Sequence, residues 1–167
     1  MEGTKPQLIF ENLWQQKASS FHEEVKLMWK KHFQELTEDQ LHDRLKQVVF
    51  ILRTAEGRVV GVSTAHKAHI AQLKNKLYSF RCFIDPDYRI PGLTSTLTVK
   101  TRDWLEDIHQ TDGDEKDRCI GMITLVENER IMTFRNEAIW RASKMVYIGN
   151  SPKGFHIRVY YFKKALI

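Results

Sequence analysis

The stretch that decides the fold, residues 78–108, reads YSFRCFIDPDYRIPGLTSTLTVKTRDWLEDI. Residues 77–84 are aromatic and apolar, and Pro86 cannot continue a hydrogen-bonded ladder, so a strand is predicted to end near Asp85. From Leu93 onward the apolar residues recur with the period of a helix. They are Leu93, Leu97, Trp104, Leu105 and Ile108. The stretch therefore predicts a strand, a tight loop and a helix.

The loop between this strand and this helix has the features of an anion site. Pro91 suits the first turn of a helix, and Gly92 allows another backbone or a ligand to approach closely. The first N–H groups of a helix have no carbonyl partner within the helix, and the helix dipole adds partial positive charge there. The alternative is an ordinary strand-to-helix loop with a helix-starting proline.

Residues 84–94, IDPDYRIPGLT, resemble the acyl-CoA-binding signature of the GNAT N-acetyltransferase superfamily. In that family a hydrophobic residue and a proline lead into an Arg/Gln-x-x-Gly-x-Gly/Ala turn after the fourth strand. Arg89 and Gly92 match this pattern. Thr94 departs from it, because it stands where glycine or alanine is usual and adds bulk beside the expected diphosphate.

The resemblance implies a coenzyme A site with acetyl-CoA as the acyl donor. Phe83 and Ile84 would offer backbone groups to the pantetheine arm, in an opening between the fourth and fifth strands. The diphosphate would be held by the backbone of the following turn, with help from the Arg89 side chain. The residues of that turn are Arg89, Ile90, Pro91, Gly92, Leu93, Thr94 and Ser95.

The first half of the chain predicts strands and paired helices. Strands are expected at residues 8–10, 48–52 and 59–62, and the last two form a hairpin through residues 55–57. Ser20 and Thr37 each precede a Glu or Gln by three residues, the spacing of a capping box at the start of a helix. Residues 63–73 and 77–84 predict a long antiparallel hairpin.

After the helix that begins at Leu93, residues 119–126 predict a fifth strand, parallel to the fourth because a helix connects them. Asn128 is expected to cap a last helix that continues to Met145. Residues 145–148 and 155–162 predict a closing hairpin. The whole, residues 1–167, is predicted to be one α+β domain. It would have about four helices and a mixed, mostly antiparallel sheet of six to seven strands, which resembles the GNAT fold throughout.

Composition limits the class of protein. Of the 167 residues 42% are hydrophobic and 28% charged, as in soluble globular proteins, and no apolar run approaches a membrane span. The start, MEGTKPQLIF, has no signal-sequence pattern, so a cytoplasmic protein is expected. The net charge of +5 is dispersed and accompanies no nucleic-acid motif. Cys82 and Cys119 have no metal-ligand spacing, and no metal is expected.

Acetyl transfer to an amine needs a base, a polarised thioester carbonyl and a stabilised leaving thiolate. The fourth strand carries no carboxylate, and the region where the family usually has an acid tyrosine carries Trp140 and Ser143. The candidates are therefore Tyr147 as the acid, and as the base Glu127, His66 or the helical Glu24. Tyr147 and His66 could equally well serve packing.

Three functions are consistent with these residues. The first is an acyl-CoA-dependent N-acyltransferase, in which an amine attacks the thioester directly. The second is a catalytically silent GNAT-like module that binds acyl-CoA or a protein. The third is a transferase that takes its acyl group from an acyl carrier protein. The acceptor has no readable signature, and residues 158–166 could form the edge of a homodimer.

Overall fold

Over residues 7–16 and 20–167, which it describes, the computed structural model has seven strands and four helices in the order that the sequence predicts. Residues 1–6, on which the expectation of no signal sequence depends, lie outside the described residues. The elements are β1 (Leu8–Asn12), α1 (Phe21–His32), α2 (Glu38–Leu45), β2 (Val48–Thr54), β3 (Val59–Ile70), β4 (Asn75–Ile84), α3 (Leu93–Ile108), β5 (Gly121–Val126), α4 (Glu129–Phe134), β6 (Val146–Asn150) and β7 (His156–Tyr161).

The seven strands form one sheet in the order β1-β2-β3-β4-β5-β7-β6. β4 and β5 are parallel, because α3 carries the chain back between them, whereas β5 and β6 both pair antiparallel with β7. The predicted α+β class and central parallel pair are confirmed. At this end of the sheet β7 lies between β5 and β6, so the outer strand is β6, and the homodimer contact at residues 158–166 stays a prediction.

The chain divides into two compact units, and β3 and β4 contribute residues to both. The first unit runs to Thr64 and includes Cys82–Thr94, and the second comprises Ala65–Arg81 and Ser95–Ile167. In the first unit, α1 buries Val25, Met28 and Trp29 against β2 and β3. In the second, an apolar cluster is formed by Leu77 of β4, Ile120 just before β5 and Val159 of β7. Among the described residues, no helix combines the length and the apolar character that a membrane span requires.

Of the two predicted capping boxes, one is confirmed. The hydroxyl of Thr37 accepts a hydrogen bond from the N–H of Gln40, and the Gln40 side chain accepts one from the N–H of Thr37. At Ser20 the prediction is wrong. Its backbone already has helical torsion angles, and its side chain makes no capping bond, since a capping hydroxyl requires an extended backbone at that position.

The last helix is much shorter than the sequence predicts. Asn128 caps α4 as expected, but α4 ends at Phe134 and does not reach Met145. Side chains distant in sequence take the carbonyls that a longer helix would need: Arg158 binds those of Arg135 and Glu137. The chain then turns back, and Ile139 forms a β-bridge with Val146.

Candidate functional site

The loop that follows β4 is built as the sequence predicts. β4 ends at Ile84, and the N–H of Asp85 still donates to the carbonyl of Val60 at 2.8 Å, so the loop begins on the sheet. Pro86–Tyr88 then forms a 3₁₀ turn, and α3 begins at Leu93. The strand, the tight loop and the helix are therefore all present.

Gly92 has the backbone conformation that favours glycine. Its φ is +83°, and a Cβ built on it would have no heavy atom within 4 Å. A side chain at this position would therefore be strained by the backbone and not by its neighbours. The space in front of Gly92 is open, as a close approach by a ligand requires.

Two N–H groups of the predicted diphosphate turn are used within the loop itself. That of Arg89 donates to the carbonyl of Pro86 at 3.3 Å, and that of Leu93 donates to the carbonyl of Ile90 at 3.2 Å. Pro91 has no N–H. Neither of these two N–H groups could therefore bind an anion without giving up a hydrogen bond of the loop.

The Arg89 side chain lies along the end of β4. Its Nε donates to the carbonyl of Ile84 at 2.9 Å, and its guanidinium carbon lies 5.7 Å from the centre of the Phe83 ring. Arg89 is exposed, so its charge lies at the surface beside the loop. The sequence placed this charge at the loop but gave no indication that it would use the carbonyl of Ile84.

Asp85 anchors the loop, and sequence reasoning did not select it as a site residue. It is only 3% exposed. One carboxylate oxygen accepts the Asp87 N–H at 3.1 Å, and the other lies 3.5 Å from Nε2 of His32, 3.7 Å from Nζ of Lys31 and 3.9 Å from Nη2 of Arg58. An Asp-Pro pair after an apolar strand is a sequence signal for such a turn-initiating carboxylate.

Opposing effects act on the charge of Asp85. Burial would raise its pKa, but the Asp87 N–H, the charge of Lys31 and the contact with His32 outweigh burial, so the pKa lies below its usual value. The carboxylate is therefore ionised at neutral pH, and it joins the loop to α1 and to the β2–β3 turn of the same unit.

A groove of about 250 Å³ lies beside Asp85 in the first unit. Its walls come from α1, the start of β3 and the loop: they are Glu24, Leu27, Met28, Lys31, Arg58, Val59 and Asp85. Glu24, a candidate base, accepts the N–H of Val59 at 3.2 Å and so ties α1 to β3. Its carboxylate already has a structural use.

In the second unit, β4 and β5 pair from Tyr78↔Met122 to Phe80↔Thr124 among the described residues. The Thr124 hydroxyl donates to the carbonyl of Phe80 at 3.1 Å, which fixes the last of these pairs.

The three predicted catalytic residues lie in the second unit on separate elements. His66 is half-buried on β3, Glu127 is exposed just after β5, and Tyr147 is on β6. Burial and the charge of Arg81 lower the pKa of His66. The Tyr147 hydroxyl donates to Asn150 at 3.1 Å. No hydrogen bond, ion pair or ring contact joins any two of the three within the described residues.

In the part of the chain that the structure describes, no three or more His, Cys, Asp or Glu side chains are grouped so that they could hold a metal ion. Cys119 is buried, and burial raises the pKa of its thiol to about 12. Such a thiol is a poor nucleophile and a poor metal ligand at neutral pH.

No protein-family model and no curated protein matches the sequence. Solved structures of similar fold are found, however. A GNAT-family acetyltransferase from Streptococcus pneumoniae matches with a TM-score of 0.61 and 11% identity, over 93% of this chain and 99% of that one. The N-acetyltransferase YhbS from Escherichia coli, solved with CoA, matches with a TM-score of 0.61 and 12% identity, over 95% and 84%. AtaTR bound with AcCoA matches with a TM-score of 0.60 and 14% identity, over 93% and 94%.

Proposed function

We propose that this chain, which has the GNAT fold, is an N-acyltransferase that moves an acyl group, in the simplest case acetyl, from acyl-CoA to an amine. The observation that carries the proposal is the loop from β4 to α3, in which Gly92 has a φ of +83° and open space in front of it. A loop of this form at the start of a helix suits a phosphate ester, because backbone N–H groups and the helix dipole both favour an anion.

The cofactor would lie along the end of β4 and over this loop. The diphosphate would meet the backbone from Gly92 into the first turn of α3, and the exposed Arg89 guanidinium would add charge. The backbone of Phe83 and Ile84 would receive the pantetheine arm. The carbonyl of Ile84 accepts a hydrogen bond from Nε of Arg89. This bond would hold the Arg89 guanidinium beside a cofactor bound at Ile84.

The chemistry requires a neutral amine, a polarised carbonyl and a stabilised thiolate. His66 is the best-suited base, since a lowered pKa keeps its imidazole neutral and able to accept a proton at pH 7. Glu127 is the alternative base. Tyr147 is the candidate acid, and it would have to release Asn150 to donate to sulfur.

A catalytically silent acyl-CoA-binding module is the second candidate. It is favoured by the separation of His66, Glu127 and Tyr147 on different elements and by the engagement of Tyr147 with Asn150. Both candidates require coenzyme A binding, and only the transferase requires turnover. Release of free thiol from acetyl-CoA with a panel of amines therefore separates them.

The test compares two glycines with the same strain. Gly57, in the β2–β3 turn, has a φ of +92° and also has nothing within 4 Å of a built Cβ. Gly57→Val and Gly92→Val should each lose about 1–2 kcal/mol of stability from the left-handed backbone. Only Gly92→Val should weaken acetyl-CoA binding, by about tenfold or more, when measured by calorimetry.

Two results would count against the proposal. Unchanged acetyl-CoA affinity in Gly92→Val would place the cofactor elsewhere. Absence of any calorimetric signal or thermal shift when the wild-type protein is mixed with acetyl-CoA would remove both the transferase and the silent acyl-CoA-binding module.

A further inference from the structure

One face of the sheet formed by β5, β7 and β6 in the second unit is apolar. Opposite residues of antiparallel strands project to the same face of a sheet. The register of these strands, with the β-bridge beside β6, therefore puts nine residues on one face, none of them charged. They are Gly121, Ile123, Leu125, Ile139, Val146, Gly149, Ile157, Val159 and Tyr161. We call this surface the apolar face.

The polar side chains of β7 project to the opposite face, and that face is covered. The Tyr160 hydroxyl donates to Glu106 of α3 at 3.1 Å. Arg158 is buried, and it donates to the carbonyls of Arg135 and Glu137. An antiparallel sheet with one solvated face usually buries its apolar side. In β7 the polar side is the covered one, so the apolar face needs a different explanation.

The outer part of the apolar face is exposed. Four of its large apolar residues have between 39% and 55% of their surface exposed. They are Leu125, Ile139, Val146 and Tyr161. Gly149 lies opposite the partly exposed Ile157, and a Cβ built on Gly149 would have no heavy atom within 4 Å, so the face has a hollow there. A contiguous exposed apolar surface marks an interaction site.

The exposed area approaches what a dimer requires. A fully exposed large apolar side chain presents roughly 200 Å², so the four exposed residues together present about 370 Å². A standard interface buries about 800 Å² per partner, and about 65% of a homodimer interface is apolar. The four residues thus supply about 70% of the apolar area required, and the partly exposed Ile123 and Ile157 add to it.

The distribution of charge favours a second copy as the partner. The net charge of the chain is +5, so two copies repel each other as they approach. The apolar face brings no charged side chain into contact and keeps this repulsion small. A strongly charged partner would find no complementary charge on its nine residues.

We propose that a second copy of this chain docks on the apolar face, so that two β5–β7–β6 sheets pack face to face about a two-fold axis. In such a contact the same residues meet on both copies, as an isologous interface requires. Pairing of two β6 edges is disfavoured, because the N–H of Tyr147 already donates to the carbonyl of Ala138 at 2.8 Å and Ile139 already bridges Val146. The inference does not depend on the proposed acyl transfer.

Sedimentation equilibrium of the intact protein, from about 1 to 300 µM, tests the proposal. The wild type should pass from the monomer mass to twice that mass, with a dissociation constant in the micromolar range. Val146→Glu and Leu125→Glu each put a charge from both copies into the apolar contact. Each should raise the dissociation constant at least about 100-fold.

Tyr147 provides the matched control. It follows Val146 on β6 and has the same exposed fraction, 39%, but it lies opposite Arg158 and therefore projects to the other face. Tyr147→Glu should leave the dissociation constant within about threefold of the wild-type value. Circular dichroism shows whether each variant is folded.

A wild type that stays monomeric up to about 300 µM overturns the proposal and would leave the face to a different protein. A dimer that survives both Val146→Glu and Leu125→Glu also overturns it, because the copies then meet elsewhere. Equal weakening by Tyr147→Glu would point to the edge of β6 and not to its apolar face. If neither glutamate variant folds, Val146→Thr, which keeps the shape of valine, decides. Its dissociation constant should rise about tenfold, and an unchanged value overturns the proposal.

Discussion

Replacing Asp85 by asparagine tests whether this buried carboxylate anchors the loop. Asparagine has the same shape, and its side-chain oxygen can still accept the Asp87 N–H that Asp85 accepts at 3.1 Å. The substitution therefore removes the negative charge and leaves the turn bond in place. Any loss of stability then reports on the contacts with Lys31, His32 and Arg58.

The expected loss follows from the exposure of those partners. The side chains of Lys31 and Arg58 are 56% and 57% exposed, so each pair contributes no more than about 0.2–1 kcal/mol. The His32 side chain is more buried, with 19% of its surface exposed, and its Nε2 lies 3.5 Å from the Asp85 carboxylate. A neutral amide is cheaper to bury than a carboxylate, which offsets part of the loss. We expect Asp85→Asn to reduce the free energy of unfolding by about 1–2 kcal/mol at pH 7.

The sign of the pH dependence provides the sharper measurement. Because the pKa of Asp85 is lowered in the folded state, its stabilisation is fully present above the unfolded pKa of about 3.9 and is lost as the pH falls through the folded pKa. The free energies of unfolding of the wild type and of Asp85→Asn, measured by urea denaturation, should therefore differ at pH 7 and converge as the pH falls below about 4.

Asp87→Asn is the control, because Asp87 is exposed and contributes its backbone N–H, which the substitution keeps. It should change stability by less than about 0.5 kcal/mol. Two results would refute the reasoning that the charge of Asp85 holds the loop. One is a difference in the free energy of unfolding between Asp85→Asn and the wild type that is the same at pH 7 and pH 3. The other is an Asp85→Asn protein that is more stable than the wild type at pH 7.

The remaining predictions concern two residues of the second unit. Tyr78 is fully buried and its hydroxyl donates to Asp112. Tyr78→Phe should therefore lower the free energy of unfolding, measured by urea titration, by about 1.5–3 kcal/mol. Tyr161 is 50% exposed, so Tyr161→Phe is the control and should have almost no effect. Equal effects would contradict this role of the Asp112 bond. If His66 is the base, the acid limb of kcat/KM against pH should have a midpoint below the ordinary histidine pKa of 6.5, and His66→Gln should abolish that limb. A limb that persists in His66→Gln would assign the base to another residue.

Local sequence patterns predicted most of the elements, because each depends on neighbours a few residues apart. The apolar spacing from Leu93 to Ile108 predicted α3 with the bounds that it has, and the Thr37–Gln40 pair predicted the capping box of α2. The parallel pairing of β4 and β5 followed from the helix between them. Gly92 was expected to allow a close approach, and the space in front of it is open.

The tertiary structure decided the features that depend on residues distant in sequence. α4 stops at Phe134 because Arg158, 24 positions later, takes carbonyls that a longer helix would use. Asp85 gains its importance from the cations of α1 and the β2–β3 turn, which no local pattern connects to it. The sequence by itself thus determined which elements form and in what order, whereas only the folded chain determined which charges are buried. Burial and the effective dielectric constant around a charge depend on every segment packed against it and not on its neighbours along the chain.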